Sequence, residues 1–141
     1  IFQPPRTRRE EADSLARARA LLARVGLSNH ADRVAKHLSY GDQRRLEIAR
    51  ALATEPAILA LDEPAAGMNP GERAALATLL RSLRDADGVT LLLIEHDVKL
   101  VMGLCDRLAV LDYGVRIFEG TPEAALKDAK VIAAYLGDEA A

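Results

Sequence analysis

Apolar residues recur at two different periods along this chain, and the change of period divides it. From about Arg9 to Val25 the positions Leu15, Ala18, Leu22 and Val25 fall at helical spacing, and Gly26 follows as a stop signal, which predicts an amphipathic helix. A short second helix is expected over Asn29 to Lys36. A third opens at Ser39 to Gly41, with Leu46, Ala49 and Ala53 on its inner face and Pro56 marking its end.

Ile58-Leu59-Ala60-Leu61 is instead a continuous apolar run bounded by Pro56 and Pro64. That is the form of a parallel strand covered on both faces, expected to lie centrally in its sheet. Asn69-Pro70-Gly71-Glu72 supplies an N-cap, a first-position proline and an acid at N3. It launches a helix whose apolar face is Leu76, Leu79, Leu80 and Leu83, ending at Gly88. Val89 to Ile94, apolar but for Thr90, is a second strand, so residues 58 to 94 predict one strand-helix-strand unit with a right-handed crossover. Asp97 to Leu104 is expected to be helical. Leu108 to Leu111 and Val115 to Phe118 flank Asp112-Tyr113-Gly114 as a hairpin, and Thr121-Pro122-Glu123 caps a closing helix.

At 141 residues, half of them apolar, the chain has the size of one domain with a real core. A net charge of −2 argues against a surface spread for nucleic acid, and Arg6, Arg8 and Arg9 read as a solvated face. The single cysteine, Cys105, sits among Leu104, Leu108 and Val110 as a small core residue, compatible with a reducing cytoplasm. No apolar run approaches the roughly 18 residues that span a bilayer.

Parallel strands share one carboxyl edge, so Asp62 and Glu63 are expected to face the same crevice as Glu95, His96 and Asp97, the edge at which open α/β sheets bind ligands. Taken alone, Asp62-Glu63-Pro64 reads better as a strand end with solvated acids before a turn proline, a balance that its context reverses, and His30, His37 and His96, each taken alone, read as ordinary surface histidines. Ser39 to Gly41 likewise reads as a helix cap, and as an anion-binding helix start; the two are compatible.

The motifs taken in order resemble the ABC-type ATPases. Leu38-Ser39-Tyr40-Gly41-Asp42-Gln43 is similar to the family's signature motif, Ile58 to Glu63 to its Walker B strand, Ala65-Ala66-Gly67-Met68-Asn69 to its D-loop, and His96 to its switch histidine. Tyr40 and Asp42 stand where Gly and Gln or Glu are more usual, and Asn69 where Asp is. These variants, with Ile94-Glu95-His96-Asp97 and the ending Val131-Ile132-Ala133-Ala134-Tyr135-Leu136-Gly137, resemble one ATP-binding subunit of branched-chain amino-acid importers.

The resemblance implies an α/β fold class, the C-terminal part of a P-loop NTPase domain. A helical subdomain at about 9–53 carries the signature, a core at 54–120 carries Walker B, D-loop and switch histidine, and 121–141 forms a helical tail. It implies ATP and Mg²⁺ as cofactors, with Asp62 holding Mg²⁺ through water, and Glu63 and His96 as catalytic groups. Ser39, Gly41 and Gln43 meet the phosphates of a partner's ATP, and Asn69 serves in the D-loop. No Gly-Lys pair occurs, so the P-loop is missing, and the Q-loop glutamine has no counterpart. Together with the start at Ile1, this leads to the expectation of a fragment unable to hydrolyse ATP alone.

Implied partners are a second ABC ATPase subunit of different sequence, membrane permease subunits and, indirectly, a solute-binding protein, with no nucleic acid. The implied location is cytoplasmic, peripheral at the inner face of the membrane. Two alternatives stay open: a soluble non-transport ABC ATPase, and a non-catalytic interaction module that uses only the signature surface.

Overall fold

The computed structural model describes residues 5–136, which fall into two compact units divided between Ile94 and Glu95. The first unit opens with α1, Pro5–Arg24, which packs on α2, Tyr40–Leu52. The expected amphipathic face of α1 is buried only at its end. Val25 and Leu27 are buried, whereas Leu15 is 53% exposed. Length explains the difference, because α1 has 20 residues against 13 in α2 and outruns the surface that would cover it. Arg24 closes this end by donating to Asp87 Oδ2 at 2.8 Å and to Ser82 Oγ at 2.9 Å.

The helix expected over Asn29 to Lys36 is absent. Two single 3₁₀ turns, Ser28–His30 and Ala35–His37, stand in its place with Val34 extended between them. Residues 31–37 are all exposed, and a short helix with no buried face does not repay its nucleation.

The strand β1, Ile58–Asp62, pairs in parallel with β2, Thr90–Ile94, with Asp62 level with Ile94. Between them runs α3, Pro70–Asp85. All four leucines expected on its inner face, Leu76, Leu79, Leu80 and Leu83, are buried, each stabilising by about 1.5–3 kcal/mol. Its start carries a full capping box: Asn69 Oδ1 accepts Glu72 N–H and Glu72 Oε2 accepts Asn69 N–H, both at 3.0 Å.

Contrary to expectation, β1 is neither central nor covered on both faces among the described residues. Its sheet has two strands among the described residues, and Ile58, Leu92 and Ile94 are 63%, 57% and 60% exposed. Burial follows the pleat, with Leu59 buried, Leu61, Leu91 and Leu93 half-buried, and their alternates open.

The second unit contains α4, Val98–Leu104, capped by Asp97, then the antiparallel hairpin of β3, Leu108–Asp112, and β4, Val115–Gly120. Tyr113 and Gly114 form its two-residue turn with φ of +44° and +78°, as the tight hairpin turn requires. Thr121 caps α5, Pro122–Ala125, and Asp128 caps α6, Ala129–Val131, which leads into a π-turn at Ile132–Leu136. Leu108, Ala125 and Val131 form the core of this unit, with Val101, Met102, Cys105, Val110 and Phe118 packed around them. Cys105 is thus the small core residue expected. Gly137, the last residue of the ending noted above, lies outside the described residues.

Candidate functional site

Asp62 ends β1 and Glu63 follows it directly; both are exposed. The backbone of Glu63 sits at φ +43°, in the left-handed region that a residue with a side chain rarely occupies. It is held there because its N–H donates to the Ile94 carbonyl at 2.8 Å and its carbonyl accepts from Ala66 at 3.1 Å. Pro64, Ala65 and Met68 are buried, so the loop after β1 is anchored at its start and again before Asn69. Strain of this kind collects where a side chain must be aimed rather than relaxed.

Around Ser39 the local chemistry is that of a helix start. Ser39 Oγ accepts the Asp42 N–H at 3.2 Å, and Gln43 Nε2 turns back to donate to the Leu38 carbonyl at 3.1 Å. Gln43 therefore secures the segment that precedes the helix. Asp42 is also committed within the chain: Arg45 Nη2 lies 2.6 Å from its Oδ1, and His30 Nε2 lies 3.9 Å from its Oδ2. His30 is half-buried, with Nδ1 lacking a hydrogen-bond partner, and so is less exposed than the surface histidine expected.

Tyr40 and Gly41 bring this helix start against the loop after β1. The Tyr40 ring closes the space beside Gly67, and Glu72 closes the space beside Gly41. Arg44 donates to the Tyr40 hydroxyl at 2.7 Å and to Glu47 at 2.7 Å. The Glu47 carboxylate, and then the Tyr40 hydroxyl, hold the Arg44 guanidinium above its ordinary pKa. Ser39, Gly41, Gln43 and Asn69 thus share one neighbourhood in the first unit. His96 belongs to the second unit, where it is exposed and donates its N–H to Glu95 Oε2 at 3.2 Å. Asp97 also donates to Glu95 Oε2, at 3.4 Å, while capping α4 through Leu100.

Sequence reasoning placed Glu72 in the cap of α3 but missed its contact with Gly41. No periodicity signals a contact between residues so far apart in the chain.

Among the described residues no three His, Cys, Asp or Glu side chains converge to hold a metal ion. A Mg²⁺ that arrives with phosphates keeps several waters and needs only one or two carboxylates, and exposed Asp62 fits that donor set. No helix among the described residues is long and apolar enough to cross a membrane.

Comparison with known proteins agrees with the family resemblance. The family model for ABC transporter matches residues 2–66, and that for branched-chain amino acid ATP-binding cassette transporter matches residues 115–141. The chain is 51% identical over 138 residues to the high-affinity branched-chain amino acid transport ATP-binding protein LivG of Escherichia coli (strain K12), covering 98% of this chain and 54% of that protein. It is 48% identical, with the same coverage of 98% and 54%, to the corresponding protein BraF of Pseudomonas aeruginosa. The chain therefore spans about half the length of the curated relatives it matches. Among solved structures it is similar to the ADP conformation of MJ1267, an ATP-binding cassette of an ABC transporter, with a TM-score of 0.78 and 36% identity over 86% of this chain and 49% of that one. The α/β fold, the ordered motifs and these relatives together establish that the chain belongs to the ABC transporter family of ATP-binding cassette proteins.

Proposed function

We propose that this chain acts within an ATP-hydrolysing, energy-coupling subunit of an ABC importer whose cargo class is branched-chain amino acids. The names of LivG and BraF support the cargo class. The observation that carries the hydrolytic reading is Glu63, held at φ +43° directly after Asp62 at the end of a parallel strand.

In this reading Asp62 holds Mg²⁺ through water, and Mg²⁺ neutralises phosphate charge when bound. Glu63 orients and polarises the attacking water, and His96 donates to the γ-phosphate. Ser39, Gly41 and Gln43 belong to a surface that meets ATP held by a second subunit, with Asn69 in the adjoining D-loop. Residues 9–53, 54–120 and 121–141 are its helical, catalytic and tail segments. The second ATPase subunit is a different chain, and permease subunits place the assembly at the cytoplasmic face of the membrane, where a solute-binding protein acts indirectly. ATP then favours the closed pair and hydrolysis releases it, biasing the permease between two access states.

The test is Glu63→Gln in the assembled transporter. Turnover of ATP is expected to fall by about 10²–10⁴-fold, the range for loss of a general base, while an ATP-bound closed pair accumulates. Turnover within twofold of the native assembly removes Glu63 from the role.

A further inference from the structure

The start of α2 and the loop leading into α3 are joined by two contacts that none of the roles above uses. Gly41 is buried, and a methyl group on it would lie 2.9 Å from Glu72 Oε1 and 3.0 Å from the carboxyl carbon. The second carboxylate oxygen, Oε2, accepts the Asn69 N–H at 3.0 Å. One side chain therefore lies against the signature segment and caps the neighbouring loop at once.

At Gly67, with φ +73°, a methyl group would meet Tyr40 Cε1 at 3.3 Å. Tyr40 is itself braced by Arg44, whose guanidinium carbon lies 5.1 Å from the ring centroid. One contact alone would leave a pivot. Two, from adjacent residues of α2 to Gly67 in the loop and to Glu72 in the first turn of α3, fix an orientation.

We infer that Glu72 is a positioning residue whose side chain locks the Ser39–Gly41 segment to the Gly67–Asn69 loop, so that the two move as one block. Glu72 touches no reacting atom and acts through Gly41 and Asn69. Its consequence for turnover rests on the proposed function, in which this block meets the partner's nucleotide; the lock itself does not.

The test is a double-mutant cycle in the full chain, read by urea unfolding. Gly41→Ala drives a methyl group into Glu72, whereas in a Glu72→Ala background the space is open. A non-additivity of about tenfold in the unfolding equilibrium constant is expected, within the range for residues in contact. Effects that add to within twofold overturn the lock. Glu72→Gln keeps both the bulk and the capping oxygen, so Gly41→Ala should be as damaging there as in the native chain; relief by Gln overturns the lock as well.

If Gly41→Ala does not fold, amide exchange in Glu72→Ala alone decides. About tenfold faster exchange is expected at Asp42 and Gln43 as well as at the start of α3, and a change confined to residues 69–73 overturns the lock. In the assembled transporter, at a temperature where the variant is fully folded, Glu72→Ala is expected to lower kcat about tenfold with KM for ATP unchanged, and Glu72→Gln to restore it. Unchanged kcat beside a non-additive cycle overturns the positioning role. No turnover in the native assembly would instead sink the proposed function, and the cycle would still report on the lock.

Discussion

The Glu63 N–H donates to the Ile94 carbonyl at 2.8 Å, one residue beyond the last parallel rung between Asp62 and Ile94. The ladder thus continues into a residue whose φ of +43° opposes the strand conformation. A side chain in that region costs about 1–2 kcal/mol, which glycine avoids at the expense of more freedom in the unfolded chain. Glu63→Gly is therefore expected to stabilise the fold by about 0.5–1 kcal/mol, raising the urea midpoint, while abolishing turnover in the assembled transporter. Glu63→Gln, which keeps a side chain, should leave the midpoint where it was. A lower midpoint for Glu63→Gly would mean that the side chain contributes more to folding than its backbone strain removes.

Asn69 is the second position at which local structure and proposed role overlap. Its Oδ1 accepts the Glu72 N–H at 3.0 Å, so the acceptor side of the amide is already committed to α3. Asn69→Ala is expected to cost about 1 kcal/mol through loss of the cap. Asn69→Asp retains the acceptor and should cost less, offset in part by a new carboxylate beside Glu72. Thermal unfolding of the two variants separates these effects. No loss in Asn69→Ala would show that the cap contributes nothing at this site.

Two leucines that the sequence pattern treats alike should behave differently. Leu80 is 0% exposed, and its replacement by Ala removes a fully buried side chain, at a cost of about 2–5 kcal/mol. Leu15, 53% exposed near the middle of α1, should tolerate Ala within about 0.5 kcal/mol. Denaturant unfolding of both variants is the check, and a loss above about 2 kcal/mol at Leu15 would place that residue in a packed interface.

What the sequence made legible was local. The capping box at Asn69, the leucine face of α3, the helix ending at Leu104 and the hairpin around Tyr113-Gly114 are each encoded within a few residues, and each is present. The faces of β1 and β2 were misjudged because a continuous apolar run records that both faces suit burial, not that both have a neighbour among these residues. Residues 29–36 carry helix-compatible side chains, but helix formation there depended on a packing partner that the segment lacks. At the candidate site, the order of Ser39, Gly41, Asp62, Glu63 and Asn69 was readable from motifs alone. The left-handed backbone of Glu63 and the approach of Glu72 to Gly41 were not, since one is fixed by a hydrogen bond from β2 and the other by tertiary packing.

Ser39 allows the trans reading to be separated from simple capping. Ser39 is exposed, and its hydroxyl accepts the Asp42 N–H at 3.2 Å. Both Ser39→Ala and Ser39→Arg lose that cap and are expected to destabilise by about 1 kcal/mol. Only arginine adds bulk at the surface proposed to close on a partner's ATP. In the assembled transporter Ser39→Arg should therefore cut ATP turnover at least about tenfold beyond Ser39→Ala, a difference of about 1.4 kcal/mol in barrier, and should prevent the ATP-dependent closed pair from forming. The check is turnover measured beside dimer formation for both variants under conditions where each is fully folded. Equal turnover in the two would confine Ser39 to capping α2 and take the nucleotide contact away from this helix start.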